Sequence, residues 1–167
     1  MLLWSRRLIV TLNALNWLAL GLLMILLAVI MIRPDLPIDA IAQAKPTLDA
    51  DKLLKLFRFA LLLCVPVAIA AHAIFSRLVA MIDATRAGDT FADGHAQTLR
   101  SIGWWLLSIQ VVDAAFGWIS YQMSLASADL YGWQPSLTAW LAILLLFILA
   151  RIFEQGAAMR RELEQTV

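Results

Sequence analysis

The sequence has few of the residues on which enzymes and extracellular proteins commonly depend. Its 167 residues include one cysteine, two histidines and seven glycines, and only 15% of the chain is charged. A lone cysteine, Cys64, cannot form an internal disulfide. The chain has no Gly-rich phosphate loop, no His-Glu-x-x-His zinc motif and no nucleophile elbow. We therefore expect a non-enzymatic protein with no catalytic residues, no metal ligands and no cofactor.

The chain also lacks an excess of charge of either sign. It carries 13 Lys and Arg residues against 12 Asp and Glu residues, for a formal net charge of +1. Nucleic-acid binding requires a strongly basic face, so we expect no direct contact with nucleic acid.

Long apolar runs dominate what remains. The chain is 62% hydrophobic with a mean hydropathy of +0.81, whereas soluble domains are roughly 45–50% apolar. A membrane core about 30 Å thick requires about 20 helical residues. Four stretches approach or exceed this length: residues 8–32, 56–82, 102–125 and 137–152. The sequence predicts an all-α integral membrane protein, a four-transmembrane-helix bundle in which residues 1–167 form a single membrane domain.

The first stretch has a basic start and could instead be a signal peptide. Signal-peptide apolar cores are typically 7–15 residues long, and this run is much longer, so a retained anchor is favoured. Pro34 ends the first helix because proline disfavours helix in the residue before it. Pro135 suits the first turn of the fourth helix.

Basic residues suggest an orientation, because Lys and Arg favour the cytoplasmic side. With both termini in the cytoplasm, eight basic residues lie inside and five outside. The loop of residues 83–101 and the tail of residues 153–167 are then cytoplasmic. The eight inner residues are Arg6, Arg7, Arg77, Arg86, Arg100, Arg151, Arg160 and Arg161.

Several polar side chains fall inside the predicted spans. Asn16, His72, Gln110 and Asp113 are expected at similar depth and form a candidate intramembrane polar site. Each must find a partner within the bundle because lipid offers none. Hydrogen bonding between helices is one interpretation. A His72–Asp113 pair in a ligand, ion or proton-responsive site is the other, because an ionised carboxylate in the membrane must be paired or protonated.

The cytoplasmic loop and the tail carry more specific motifs. Residues 88–91 read Gly-Asp-Thr-Phe, and residues 99–103 read Leu-Arg-Ser-Ile-Gly. Residues 153–156 read Phe-Glu-Gln-Gly, and residues 159–167 read Met-Arg-Arg-Glu-Leu-Glu-Gln-Thr-Val. This combination resembles the bacterial membrane family called domain of unknown function 2975, across essentially the whole chain. The chain departs from the family pattern at Met159, where leucine is usual.

The resemblance implies a four-span protein of the bacterial inner membrane. Members of that family are often encoded beside a small helix-turn-helix regulator, which suggests signalling to, or sequestration of, such a regulator. We therefore expect a sensor or regulator that contacts a cytoplasmic partner in addition to the lipid bilayer.

The residues themselves indicate where such a partner could dock. Candidate docking residues are Phe91, Arg100, Phe153, Arg160 and Glu162. Arg100 is expected to pair with Glu154 or Glu162 where the loop meets the tail. Loop packing with charged ends is the simpler interpretation of these residues. Three alternatives stay open: a small transporter or ion-responsive protein using His72 and Asp113, a subunit of a larger assembly, and a homo-oligomer.

Overall fold

The protein is almost entirely helical. The computed structural model describes the backbone of residues 2–44, 49–86, 94–127 and 133–165, with side chains for residues 3–39, 49–86, 94–125 and 133–159. Of the described residues, 95% are helical and none lies in a strand. The helices are α1 (Leu2–Ile32), α2 (Asp35–Ala44), α3 (Ala50–Arg86), α4 (Gly94–Ser127) and α5 (Leu137–Gln165).

Four of these helices are long and apolar enough to cross a membrane, which confirms the predicted all-α fold with four membrane-spanning helices. The candidate spans are Leu3–Ile32, Ala50–Arg86, Gly94–Leu125 and Leu137–Met159. In the apolar window of each span, at most 22% of the residues are buried within the protein. So much outward-facing apolar surface is unsuited to water, and a lipid bilayer would cover it.

The helices extend beyond the predicted spans. Residues 83–86 continue α3 and residues 94–101 belong to α4, so much of the predicted 83–101 loop is helical. Polar residues at membrane ends can remain helical because a backbone hydrogen bond does not require an apolar side chain. The prediction that Pro135 lies in the first turn of the fourth helix was wrong, because α5 begins at Leu137. The Ser136 Oγ accepts a hydrogen bond from the Ala139 N–H at 3.3 Å. Ser136 is therefore the N-cap.

The sequence analysis did not predict the short helix α2. It begins directly after the end of α1, and its Pro37 lies in the first turn, where a missing N–H costs no intrahelical bond. The Arg33 side chain donates hydrogen bonds to the Asp35 carboxylate, the shortest at 3.1 Å. Asp35 also lies in the first turn, where the helix dipole favours a negative charge.

The Arg33 guanidinium lowers the pKa of the Asp35 carboxyl below its ordinary value of 3.8. Desolvation opposes this shift, and the backbone N–H groups of Asp35 and Leu36 add to it. The ion pair's contribution to folding is therefore complete above pH 3.8 and is lost as the pH falls through the lower folded-state pKa. We expect Arg33→Gln to raise the pKa of Asp35 toward 3.8, as measured by carboxyl ¹³C NMR titration. An unchanged titration midpoint would contradict the assigned cause.

Contacts within the chain group the residues into two compact units. The terminal unit comprises Met1–Leu15, Ile69–Gln110 and Ser136–Val167. The α2 unit comprises Asn16–Ala68 and Val111–Pro135. No observation bears on the prediction that residues 1–167 form a single membrane domain.

The terminal unit is held by small residues and aromatic rings. A Cβ on Gly103 would lie 3.1 Å from the Phe147 ring, so glycine lets that ring approach the α4 backbone. Phe147 also meets Trp104 edge to face, with ring centroids 5.6 Å apart. The Arg77 guanidinium lies 5.8 Å from the centroid of the Trp105 ring, within cation–π range.

The α2 unit contains an aliphatic core. Ile30, Leu54 and Leu61 are buried, and partly buried residues pack against them. These partly buried residues are Leu23, Leu27 and Ile38. The Ile38 contact attaches α2 to this core. At the start of α3, the Asp49 carboxylate accepts a hydrogen bond from the Lys52 N–H at 3.0 Å and caps the helix.

Candidate functional sites

His72 lies on α3 in the terminal unit, where its ring is held from two directions. Its Nδ1 lies 2.9 Å from Asn13 Oδ1 on α1. Its Nε2 lies 3.5 Å from the Oγ of Ser76, one turn further along α3. Ser76 in turn donates its hydroxyl proton to the His72 carbonyl at 2.8 Å.

These contacts place a side-chain oxygen within hydrogen-bond distance of each ring nitrogen. When Asn13 Oδ1 accepts, Nδ1 carries a proton and donates it. Because the Ser76 hydroxyl proton already bonds a carbonyl, the Ser76 Oγ can act as an acceptor toward Nε2. The His72 ring therefore joins α1 to α3 through side-chain hydrogen bonds.

Asn16 lies in the α2 unit and has a backbone partner. Its Nδ2 donates to the Ala68 carbonyl at 3.0 Å, joining α1 to α3. A carbonyl oxygen has two lone pairs, so it can accept this bond in addition to one within its helix. Hydrogen bonds between membrane helices contribute about 0.6–2 kcal/mol. This contact fits the interpretation of Asn16 as a residue that joins helices.

Asp113 lies near the middle of α4, in the α2 unit, and is half-buried. Among the described residues, none forms a hydrogen bond or ion pair with its carboxylate. An ionised carboxylate at the centre of a bilayer costs about 3 kcal/mol or more. Asp113 therefore requires a proton, a cation or a partner beyond the described side chains.

Gln110, one turn before Asp113 on α4, is half-buried and belongs to the terminal unit. No described side chain bonds it. Asn16 and Asp113 thus share the α2 unit, whereas His72 and Gln110 share the terminal unit. The predicted His72–Asp113 pair involves both units and stays a prediction.

At the candidate docking surface, one predicted contact is confirmed. The Arg100 Nη2 and the Glu154 Oε2 lie 3.0 Å apart, joining the start of α4 to α5 within the terminal unit. Both side chains remain more than half exposed, at 55% and 58%. Phe153 is half-buried beside Glu154. Phe91 and the side chains of Arg160 and Glu162 lie outside the described parts of the chain.

Sequence reasoning missed a second ion-pair group in the terminal unit. The Arg6 Nε lies 3.0 Å and 3.3 Å from the two Asp83 carboxylate oxygens. Arg86 lies 3.9 Å from the same carboxylate. The sequence shows basic residues at the start of α1 and opposite charges at Asp83 and Arg86, three residues apart. It does not show that Arg6 meets Asp83, because that contact depends on the packing of α1 on α3. Pairs this exposed contribute at most about 1 kcal/mol.

Arg58, on α3 in the α2 unit, bonds the end of α1. Its Nη2 donates to the Ile30 carbonyl at 2.9 Å. Ile30 is in the last turn of α1, where carbonyls have no intrahelical partner and the dipole favours a cation. Arg58 therefore caps α1.

The described residues contain no group of three or more His, Cys, Asp or Glu side chains that could hold a metal ion. Cys64 donates its thiol to the Ala60 carbonyl at 3.6 Å, a contact within its own helix. His95, at the start of α4, is buried, with an exposed fraction of 5%. Its Nε2 has no partner among the described residues. None of these features adds a catalytic arrangement.

No protein-family model matches the chain, and neither a curated protein nor a solved structure matches it. The resemblance to the domain of unknown function 2975 family rests on the loop and tail motifs and stays a prediction. What the structure establishes is a multi-pass helical protein with four apolar helices long enough to cross a membrane.

Proposed function

We propose that this protein is a non-enzymatic regulator of the bacterial inner membrane, with both termini in the cytoplasm. Its docking surface comprises the α3–α4 connection and the end of α5. The partner is a cytoplasmic protein, with a helix-turn-helix transcription regulator as the leading candidate. The Arg100–Glu154 contact carries this proposal, because it brings the loop and tail motifs together.

The exposure of the pair supports docking over a purely internal role. Both side chains keep more than half of their surface open, so a partner could reach their remaining donors and acceptors. An arginine has five N–H donors in a fixed fork, and a single ion pair leaves several of them available. The bias of basic residues toward this end supports a cytoplasmic location.

Charge reversal tests the docking surface. We expect Arg100→Glu to reduce recovery of a cytoplasmic DNA-binding protein about tenfold or more, because a reversed charge loses attraction and adds repulsion. The measurement is crosslinking in native membranes, affinity purification and quantitative mass spectrometry. Phe91→Ala and a chain truncated before Arg160 should show the same loss.

Arg33→Glu is the matched control, since it reverses an arginine in an equally exposed ion pair on the α2 unit. Its recovery of the partner should equal that of the wild type. Equal recovery by every variant, or no DNA-binding protein recovered with the wild type, would contradict the docking proposal.

A second candidate is a proton- or ion-responsive protein that uses His72 and Asp113. The contacts around His72 favour it, because each ring nitrogen lies within hydrogen-bond distance of a side-chain oxygen. We expect His72→Leu combined with Asp113→Asn to abolish proton uptake by proteoliposomes under an imposed membrane potential, read with an internal pH dye. Ser108→Ala is the control, since among the described residues that hydroxyl bonds only the Trp105 carbonyl of its own helix. Identical uptake by the double variant and the wild type would eliminate this candidate.

A further inference from the structure

Two arginines share one carboxylate where the start of α1 meets the end of α3, within the terminal unit. The Arg6 Nε lies 3.0 Å and 3.3 Å from the two oxygens of Asp83. The Arg86 Nη1 lies 3.9 Å from one of the same oxygens. Both guanidinium groups are therefore held beside a single carboxylate, and positive charge exceeds negative charge at this point.

Most N–H donors of this arginine cluster, which consists of Arg6, Arg7 and Arg86, are unused. Arg6 reaches Asp83 through Nε, so the four donors on its two Nη atoms are left over. Among the described residues, the Arg86 side chain has the 3.9 Å ion contact and no hydrogen bond, and nothing bonds the Arg7 guanidinium. The side chains of Arg6 and Arg86 are each 43% exposed. An anion outside the protein can therefore reach these donors.

The terminal unit as a whole has a surplus of positive charge. Its described side chains include six basic and two acidic residues, whereas those of the α2 unit include four basic and five acidic ones. The two acidic residues, Asp83 and Glu154, are already paired with arginines. No described carboxylate of the unit is left to balance the arginine cluster, so an external anion suits it.

The arginine cluster lies at the level of lipid headgroups. Arg6 and Arg7 directly precede the apolar run of residues 8–32, and Arg86 is the last residue of α3. Arginines at the ends of membrane spans extend their charge to the membrane surface. Val10 and Ala14 follow Arg7 at steps of three and four residues on one face of α1, and both are exposed. This face offers apolar surface to an acyl chain next to the charged cluster.

The chemistry of the arginine cluster selects the class of ligand. The planar guanidinium fork matches the oxygens of a phosphate group, which accept two parallel hydrogen bonds from it. The phosphodiester of a lipid such as phosphatidylglycerol carries one negative charge, whereas a zwitterionic headgroup adds a cation that the arginines repel. We propose that Arg6, Arg7 and Arg86 bind the phosphate of an anionic phospholipid whose acyl chain lies along Val10 and Ala14. Only its assignment to the cytoplasmic leaflet rests on the proposed orientation, and the site does not require the cytoplasmic partner.

Native mass spectrometry of the full-length protein in detergent micelles tests the site, with phosphatidylglycerol and phosphatidylcholine of identical acyl chains as probes. We expect the wild type to bind phosphatidylglycerol about fivefold or more tightly than phosphatidylcholine. Arg6→Gln combined with Arg86→Gln should weaken phosphatidylglycerol binding about tenfold or more, since each arginine near a membrane surface contributes about fivefold. Phosphatidylcholine binding should not change.

Two further double variants separate this site from a general effect of charge. Lys52→Gln with Lys55→Gln removes two positive charges from exposed residues of the α2 unit and should bind phosphatidylglycerol like the wild type. Arg6→Lys with Arg86→Lys keeps the charge but loses the fork, so its affinity should be intermediate. Ion pairs this exposed contribute little to stability, so the variants should fold, which circular dichroism checks.

Equal binding of the two lipids by the wild type would overturn the proposal. So would equal weakening by the two glutamine double variants, because it would show that only net charge matters. Complete displacement of phosphatidylglycerol by glycerol phosphate at equal concentration would assign the arginines to a soluble phosphate instead. Arg100 is unchanged in all of these variants, so failure of the lipid site and failure of the docking proposal give different results.

Discussion

Replacing Ile119 with alanine is expected to lower the free energy of unfolding by about 2–5 kcal/mol. Ile119 lies on α4 in the α2 unit and is fully buried, with an exposed fraction of 0%. Between membrane helices, stability depends on close packing, because lipid tails are as apolar as the side chains they replace. Removing the larger part of this side chain leaves a cavity whose lining loses its van der Waals contacts.

The control is Ile25→Ala, an identical substitution in the same unit at a residue that is 63% exposed. Its effect should stay within about 0.5 kcal/mol, since lipid replaces the lost contacts. Unfolding by steric trapping in lipid bicelles measures both values. Equal destabilisation by the two substitutions would show that the packing of α4 differs from the structure.

Gly117→Ala is expected to destabilise the protein by about 1–3 kcal/mol, the usual cost of overpacking. The added methyl would overlap the Trp133 ring, so the ring or the start of α5 must shift. The shift should also change the emission wavelength of tryptophan fluorescence. At a helical position with open space around it, replacing glycine with alanine would instead be stabilising, because alanine is favoured over glycine by about 1 kcal/mol.

Gly21→Ala provides that open position in the same unit, because no neighbouring atom of the described residues lies within 4 Å of the added Cβ. We expect it to be neutral or stabilising, with unchanged fluorescence. Opposite signs for the two glycines would be strong support for the placement of Trp133. Stabilisation by both substitutions would show that the ring does not lie against α4.

The membrane-spanning helices were predictable because the bilayer imposes a minimum length on any apolar helix that crosses it. Residues 8–32 and α1 end at the same position, where Pro34 follows. The ten-residue α2 was not predictable in this way, because it is short, contains Pro37 and leaves no long apolar run. Its stability comes from the contact of Ile38 with the aliphatic core, which depends on tertiary packing.

The contacts at the candidate sites were predictable only in part. A contact between two charged side chains can be inferred from the sequence, whereas a contact between a side chain and a backbone carbonyl cannot. Arg100 and Glu154 are opposite charges at the ends of adjacent spans, so chain connectivity alone suggested the pair. Asn16 and Arg58 instead bond the backbone carbonyls of Ala68 and Ile30. Every residue has a carbonyl, so no sequence pattern indicates which one is used until the helices are packed.

The number of spans decides on which side of the membrane each segment lies, and every functional proposal above depends on it. Single cysteines introduced at exposed positions in a Cys64→Ser background report that side. The positions divide into two groups: Ser5, Gln97 and Gln155 in the first, and Asp39 and Gln134 in the second.

The most direct test is labelling of these cysteines in intact cells and in inverted vesicles with a maleimide that cannot cross the membrane. Four spans with a cytoplasmic N-terminus predict that the first group is labelled only in inverted vesicles and the second only in intact cells. Labelling of any first-group cysteine together with the second group, from the same side, would contradict the four-span topology and the docking surface that depends on it.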